Sequence, residues 1–368
     1  MKKDELGIVN RVIELAMEIQ QIAAPTFEEG ERAGFVRAKF AEAGLSDVEI
    51  DATGNVYARS RGGDASPLVV SAHLDTVFPR ETSLLVKREA QRVYGPGIGD
   101  NSMGVAALFG LAWHLRESGA RPSGDVWFAA NTCEEGLGDL RGMKAVVDRF
   151  GANVTGYLVL EGAALGHIYH RGVGVQRYKI SAKAAGGHAW SDYGAPSAIH
   201  ELAKLTAKIA SLELPKSPRT TLNVGRIFGG TSINTIAAEA WLELDMRSES
   251  PASLAELVAA VDALIEAATR PEVRVEAMTI GARPAGEISA SHPFVNLAVG
   301  CTRAQGMDAI LVSGSTDANV PLSRGMPAVV MGVTRGGGAH TINEFVETEY
   351  VERGLAALGE FVEKAFGG

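Results

Sequence analysis

The chain has 368 residues, 46% of them hydrophobic and 21% charged, with a formal net charge of −9. That composition excludes a disordered or collagen-like chain, and the acidic balance excludes the basic footprint that nucleic acid or an anionic membrane would require. Cys133 and Cys301 lie too far apart to suggest a disulfide framework and read as free thiols of a reducing compartment. No apolar run reaches the ~18–20 residues of a membrane span. Residues 105–115 come nearest and carry His114. Residues 1–19 are charged throughout and offer no apolar signal-peptide core, so the reading is a cytoplasmic protein of about two domains.

In chain order, Val9, Ile13 and Met17 recur at helical spacing, and Pro25 stops that helix. Thr26 stands three residues before Glu29, a capping-box pattern for a second helix through Val36 and Phe40, with Gly44 as its cap. Residues 48–59 read as a hairpin turning at 53–55. Apolar runs at 68–72, 126–130, 157–160, 309–312 and 328–333 suit strands covered on both faces, and helical patterns at 103–117 and 140–149 separate them. This is an α/β pattern, a mostly parallel sheet flanked by helices.

The interval from 173 to 280 differs. Strands at 173–184, 220–227, 237–246 and 272–280 alternate with helices at 196–212 and 253–268. The order β-α-β-β-α-β is that of a ferredoxin-like α+β sandwich. The expected layout is therefore one α/β domain at 1–172 and 281–368, with a small α+β domain at 173–280 inserted in it.

Polar residues follow the apolar runs. Residues 68–72 lead into His73 and Asp75, 126–130 into Glu134 and Glu135, 157–160 into Glu161, and 328–333 into a glycine run ending at His340. Ligands bind at the carboxyl ends of strands in open α/β sheets. Two imidazoles and several carboxylates, with Asp100 on a glycine-rich loop, suit a nitrogen/oxygen metal site of hydrolytic type. A carboxylate can bridge two metals about 3.5–4 Å apart.

With these residues in view, the chain resembles the M20 metallopeptidase family of cocatalytic zinc exopeptidases and amidohydrolases. The motifs are SAHLDT at 71–76, GIGDN at 97–101, TCEEG at 132–136, LEG at 160–162 and GAH at 338–340, in family order across nearly the whole chain. The resemblance implies two Zn²⁺ ions, with Co²⁺ or Mn²⁺ as alternatives. His73 and Glu161 would hold one, Glu135 and His340 the other, and Asp100 would bridge them. Asp75 would hold the His73 imidazole, and Glu134 would be the general base. In GGHA at 186–189, His188 matches the lid histidine that stabilises the oxyanion, in cis or from a second subunit. Asn234, in GGTSIN at 229–234, matches a substrate contact, and Arg247, in DMR at 245–247, the clamp on a substrate carboxylate.

Competing readings stand beside these. His167 and His170 lie close enough after Glu161 to compete as ligands, His114 and His200 read as structural, and His292 before Pro293 reads as a helix start. Arg247 could be a plain salt-bridge partner. The implied activity is cleavage of an amide bond in a small peptide, or deacylation of an N-acyl amino acid, with a homodimer through the lid domain as the expected assembly.

Overall fold

Each of the apolar runs is short, is bounded by turn-forming residues, and becomes a strand. They form Ala65–His73, Gly124–Asn131, Gly156–Glu161, Ile310–Gly314 and Ala328–Gly332. The computed structural model describes residues 3–366, with side chains from residue 7 onward. In it, Ala65–His73 lies between Gly124–Asn131 and Gly156–Glu161, parallel to both. Ala328–Gly332 continues the parallel set beside Gly156–Glu161, and Ile310–Gly314 runs parallel to His167–Gly172. The hairpin Ser46–Ile50 and Val56–Ser60 adds an antiparallel margin on Gly124–Asn131. The sheet is thus mixed at its borders and parallel at its centre, and helices flank it as expected.

Helix Met103–Ser118 is apolar on nearly all sides and buries Val105 through Ala112 without a break. Phe40, from helix Gly30–Glu42, stacks on Phe109 at 4.4 Å and lies 6.4 Å from Phe128, joining two helices to the sheet. Truncating a ring buried in this way typically costs about 3–5 kcal/mol. No helix among the described residues is long and apolar enough to cross a membrane.

A second compact unit spans residues 173–286. Its four strands are ordered Thr220–Gly229, Glu239–Ser248, Gly174–Ala184, Val273–Arg283, all antiparallel. Helices Ala198–Ala210 and Pro251–Ala268 cover it, with Ile180, Leu202, Leu242 and Val261 fully buried between the layers. The unit closes later than the 280 read from the sequence. The last strand shifts register after Thr279 but continues to Arg283, opposite Val175.

One strand has no counterpart among the elements read from the sequence: residues 92–94 form strand Arg92–Tyr94, which pairs with Phe345–Glu347 in a small four-stranded sheet. Strands of two or three residues carry too few positions for an alternation to register. The capping box is absent. Glu29 caps helix Gly30–Glu42 without a side-chain bond, and the Thr26 hydroxyl donates to Asp75 Oδ2 at 2.9 Å. The Thr26 side chain is drawn to a buried carboxylate 49 residues away.

Candidate active site

His73 ends the central strand, where its backbone is paired with Asn131 of the neighbouring strand. Its Nδ1–H donates to the Asp75 carbonyl at 3.0 Å, leaving the Nε2 lone pair free to point outward. Asp100 Oδ1 stands 3.0 Å from that Nε2, and Glu161 Oε2 stands 3.9 Å from it. The other Asp100 oxygen, Oδ2, lies 3.0 Å from His340 Nε2, which is also 3.2 Å from Glu135 Oε1. One carboxylate therefore faces two imidazoles, one with each oxygen. The ligand-type atoms of His73, Asp100 and Glu161 lie within 4.8 Å of one another, as do those of Asp100, Glu135 and His340. Glu134 joins a third such group with His73 and Glu135, so position alone does not separate a base from a ligand there.

The loops that carry these groups are held by buried polar contacts. The carboxylate expected to hold the His73 ring is 3.6 Å from Nδ1, farther than the carbonyl. Its two oxygens take the Glu134 and Glu135 N–H groups at 2.9 and 2.8 Å. Asp75 thus sets the Glu134–Glu135 loop at least as directly as it sets the imidazole. Glu29 Oε1 accepts from Cys133 N, in the same loop, at 3.0 Å. The buried Arg32 guanidinium donates to the carbonyls of Ile22 and Leu74, beside His73.

Asn101 anchors the Asp100 turn to the next strand. It donates to the Leu160 carbonyl and accepts from Gly162 N. A side chain at Gly162 would strike the Gly99 carbonyl, 2.3 Å from its Cβ, so this contact requires glycine. Glu344 accepts from Gly97, Gly99 and Asp100 N–H at 2.7–2.9 Å. Gly97 itself has φ of +75°, and a Cβ there would lie 2.8 Å from Thr76 Cγ2. The peptide between Asp100 and Asn101 is cis.

The cluster carries surplus negative charge. Burial pushes the Glu161 carboxyl up to about 8; His73 opposes this, and Asp100, Asp317 and Glu135 add to it. Burial disfavours a charged His73, but Asp100, Asp75 and Glu161 outweigh it and hold the imidazole well above its ordinary pKa. Asp100 and Glu135 raise His340 to about 10. Despite burial, His340 and His73 hold Asp100 well below the usual carboxylate range. With Nδ1 of His73 donating, Nε2 and Asp100 Oδ1 are two acceptors 3.0 Å apart and need a proton or a cation between them. Ligand atoms each ~2.0–2.2 Å from one zinc would themselves stand roughly 3–3.5 Å apart. The donor set and its spacing fit a pair of divalent cations.

The remaining residues named from the sequence lie elsewhere. His170 is buried, and its Nδ1 donates to the Ile288 carbonyl; His167 is exposed at the start of its strand. His114 pairs with Glu363, and His292 accepts from Phe294 N as a helix cap. Burial pushes the Cys133 thiol up to about 12, which suits packing and not nucleophilic chemistry.

In the 173–286 unit, Gly187–His188 pairs with Thr235–Ile236, which sets His188 and Asn234 on one short ribbon. His188 Nδ1 accepts from Trp190 and Ser191 N–H, so its ring proton is on Nε2. Asn234 Oδ1 accepts from Ser232 Oγ. Arg247 is exposed, and its guanidinium forks onto Asp245 at 2.7 and 3.3 Å, a carboxylate that Arg177 also engages.

A model of peptidase family M20/M25/M40 matches residues 69–364. The chain is 26% identical over 253 residues to a succinyl-diaminopimelate desuccinylase of Corynebacterium glutamicum, covering 67% of this chain and 68% of that one. Its fold matches that of the aminopeptidase PepT of Bacillus cereus, with TM-score 0.81 and 23% identity over 97% of this chain and 98% of that one. It also matches a tripeptidase of Staphylococcus aureus, with TM-score 0.82 and 22% identity over 98% of this chain and 99% of that one. The family match spans most of the sequence, the cluster of imidazoles and carboxylates lies within it, and the chain belongs to peptidase family M20/M25/M40 as a metal-dependent hydrolase.

Proposed function

We propose that this chain is a two-zinc hydrolase that cleaves the amide bond near one end of a small peptide. The observation that carries the reading is the Asp100 carboxylate, one oxygen 3.0 Å from His73 Nε2 and the other 3.0 Å from His340 Nε2. In this reading His73 and Glu161 hold one ion, Glu135 and His340 the other, and Asp100 serves both; Co²⁺ or Mn²⁺ would suit the same donors. Bound zinc would supply Lewis-acid polarisation of the scissile carbonyl and make water more acidic.

The chain supplies the proton chemistry. Glu134 takes a proton from the attacking water and returns it to the leaving amine, a role worth roughly 10²–10⁴-fold. Its backbone N–H is fixed on Asp75, so the base has a defined origin. The unit at 173–286 acts as a lid and as a dimerisation surface. His188, with its proton on Nε2, donates to the developing oxyanion, in cis or from a partner subunit. Asn234 contacts the substrate, and Arg247 exchanges its Asp245 partner for a substrate carboxylate, which its planar fork matches. The aminopeptidase and tripeptidase of like fold support a peptide substrate. The desuccinylase similarity favours a second reading, deacylation of an N-acyl amino acid. The acidic charge and free thiols support a cytoplasmic location.

Metal analysis combined with Glu134→Gln tests this reading. The variant is expected to keep near wild-type zinc content and lose 10²–10⁴-fold in turnover. Loss of zinc would make Glu134 a ligand, and near-normal turnover would remove it from the mechanism. A panel of dipeptides, tripeptides and N-acyl amino acids separates the two substrate classes.

A further inference from the structure

Glu344 is a buried carboxylate outside the ligand set. It is 1% exposed, and its side chain collects three backbone N–H groups from one turn. Oε2 takes Gly97 at 2.9 Å, while Oε1 takes Gly99 at 2.7 Å and Asp100 at 2.8 Å. The third donor is the backbone N–H of Asp100 itself. The main chain of Glu344 is tied to the same loop, since its carbonyl accepts from Gly95 N at 2.9 Å. The strands Arg92–Tyr94 and Phe345–Glu347 then zip the two segments together, with Phe345 opposite Tyr94.

Glu344 also closes the turn that carries His340. Its N–H donates to the Thr341 carbonyl, and Thr341 N and Oγ1 both donate to the Gly338 carbonyl. Inside this turn His340 adopts φ of +64°, a left-handed conformation that a non-glycine residue keeps only when its surroundings enforce it. One residue thus joins the loop of Asp100, through its side chain, to the loop of His340, through its main chain, across 240 positions of sequence. The two loops meet again at the 3.0 Å approach of Asp100 Oδ2 to His340 Nε2.

We propose that Glu344 is a positioning residue for the metal centre, which fixes the Asp100 carboxylate against the His340 imidazole by clamping both loops. The proposal rests on the reading of Asp100 as the bridging ligand. Groups that orient ligands in this way typically cost 10–100-fold in metal affinity when removed. Glu344→Ala deletes all three acceptor contacts. Glu344→Gln keeps one oxygen for Gly99 and Asp100 but turns an NH₂ toward the Gly97 N–H, so it should show a smaller loss of the same kind.

The experiment titrates Zn²⁺ into metal-free wild type, Glu344→Ala, Glu344→Gln and Asp100→Ala, with circular dichroism and thermal unfolding of each metal-free protein alongside. The expected result is a folded Glu344→Ala that binds at least one zinc ~10–100-fold more weakly, with Glu344→Gln between it and wild type. Should Glu344→Ala fail to fold, Glu344→Gln decides: weakened zinc binding supports the clamp, and wild-type affinity overturns it. If Asp100→Ala loses zinc while folded Glu344 variants keep wild-type affinity, the clamp is wrong and the bridge stands. If Asp100→Ala binds two zinc ions like wild type, the bridge is wrong and the clamp falls with it. A lowered unfolding midpoint with unchanged zinc affinity would make Glu344 a support of the fold alone.

Discussion

The two units of the chain bury charge in opposite ways. In the 173–286 unit the buried carboxylate is Glu201, and it meets two cations, Arg270 at 2.7 Å and Lys204 at 2.9 Å. In the larger unit Glu29, Asp75, Glu134, Glu135, Asp317 and Glu344 are all buried, with Asp100 and Glu161 nearly so. Backbone N–H groups, hydroxyls and imidazoles hold Glu29, Asp75, Asp100 and Glu344, and the buried Arg32, whose charge Asp75 and Glu29 favour, donates its hydrogen bonds to carbonyl oxygens. Burying an uncompensated charge costs several kcal/mol. An arrangement that concentrates carboxylates around His73 and His340, and raises Glu161 and both imidazoles, suits bound cations. The ferredoxin-like unit balances its own charge and needs none.

The largest effect that could break this contrast comes from chelation. Ligand bound only by the folded state stabilises it by RT ln(1 + [L]/Kd), about 4 kcal/mol at a thousandfold excess over Kd. Stripping the bound metal should therefore lower protection of amides in Ala65–His73 and Gly156–Glu161 by a few hundredfold or more. Amides in Gly174–Ala184 should change far less. Hydrogen exchange with and without chelator reads both at once. Equal losses in the two units would mean that metal does not act through the larger unit alone.

A smaller effect divides the cluster itself. The His73 side chain is 1% exposed and bonded through Nδ1, whereas that of His340 is 56% exposed. In metal-free protein His73→Ala leaves a cavity and an unpaired buried carbonyl, a combination worth about 2–4 kcal/mol. His340→Ala removes an exposed ring and should cost under about 1 kcal/mol, and if the proposed ligand set holds, both variants should lose binding of at least one metal ion. Urea unfolding of the two metal-free variants checks the split. Similar destabilisation by both would show that the open half is also part of the fold.

The parallel strands, both helices of the inserted unit and its β-α-β-β-α-β order were legible because each rests on a period or a run within one segment. The imidazoles and carboxylates of the cluster were legible as residue types at strand ends, and the structure does bring His73, Asp100, Glu135, Glu161 and His340 together. What holds them in place was not legible. Glu344 bonds a loop some 245 positions away, Glu29 reaches Cys133 across 104, and Thr26 reaches Asp75 across 49. No local pattern encodes such partners, and the local pattern at Thr26 and Glu29 misleads, because a capping box and two long-range acceptor contacts use the same residue types. A faint signal did exist at Glu344, a carboxylate four residues after His340 that precedes an apolar pair.

The smallest predicted effect calibrates the comparison from the other unit. Hydrogen bonds from Arg270 and then Lys204 bring the Glu201 carboxyl down to about 2 from an ordinary 4.5. The folded pKa is depressed, so the stabilisation is fully present above the unfolded value and is lost as pH falls from about 4.5 toward 2. Taken at face value the shift corresponds to ~3 kcal/mol by linkage. Arg270 is 40% exposed and Lys204 is 68% exposed, so solvent and salt screen the pair. A contribution of about 1 kcal/mol is the reasonable expectation for such partners. Glu201→Gln should then destabilise the protein by about that amount at pH 7, and the difference from wild type should shrink below pH 4.5 and approach zero near pH 2. Added salt should reduce it at pH 7 as well. Denaturant unfolding of both proteins across this range measures it. A difference that grows on acidification would reverse the sign of the linkage. A difference of several kcal/mol at pH 7 would mean that an internally balanced ion pair here is as costly to break as the surplus charge of the metal centre, and the contrast between the two units would dissolve.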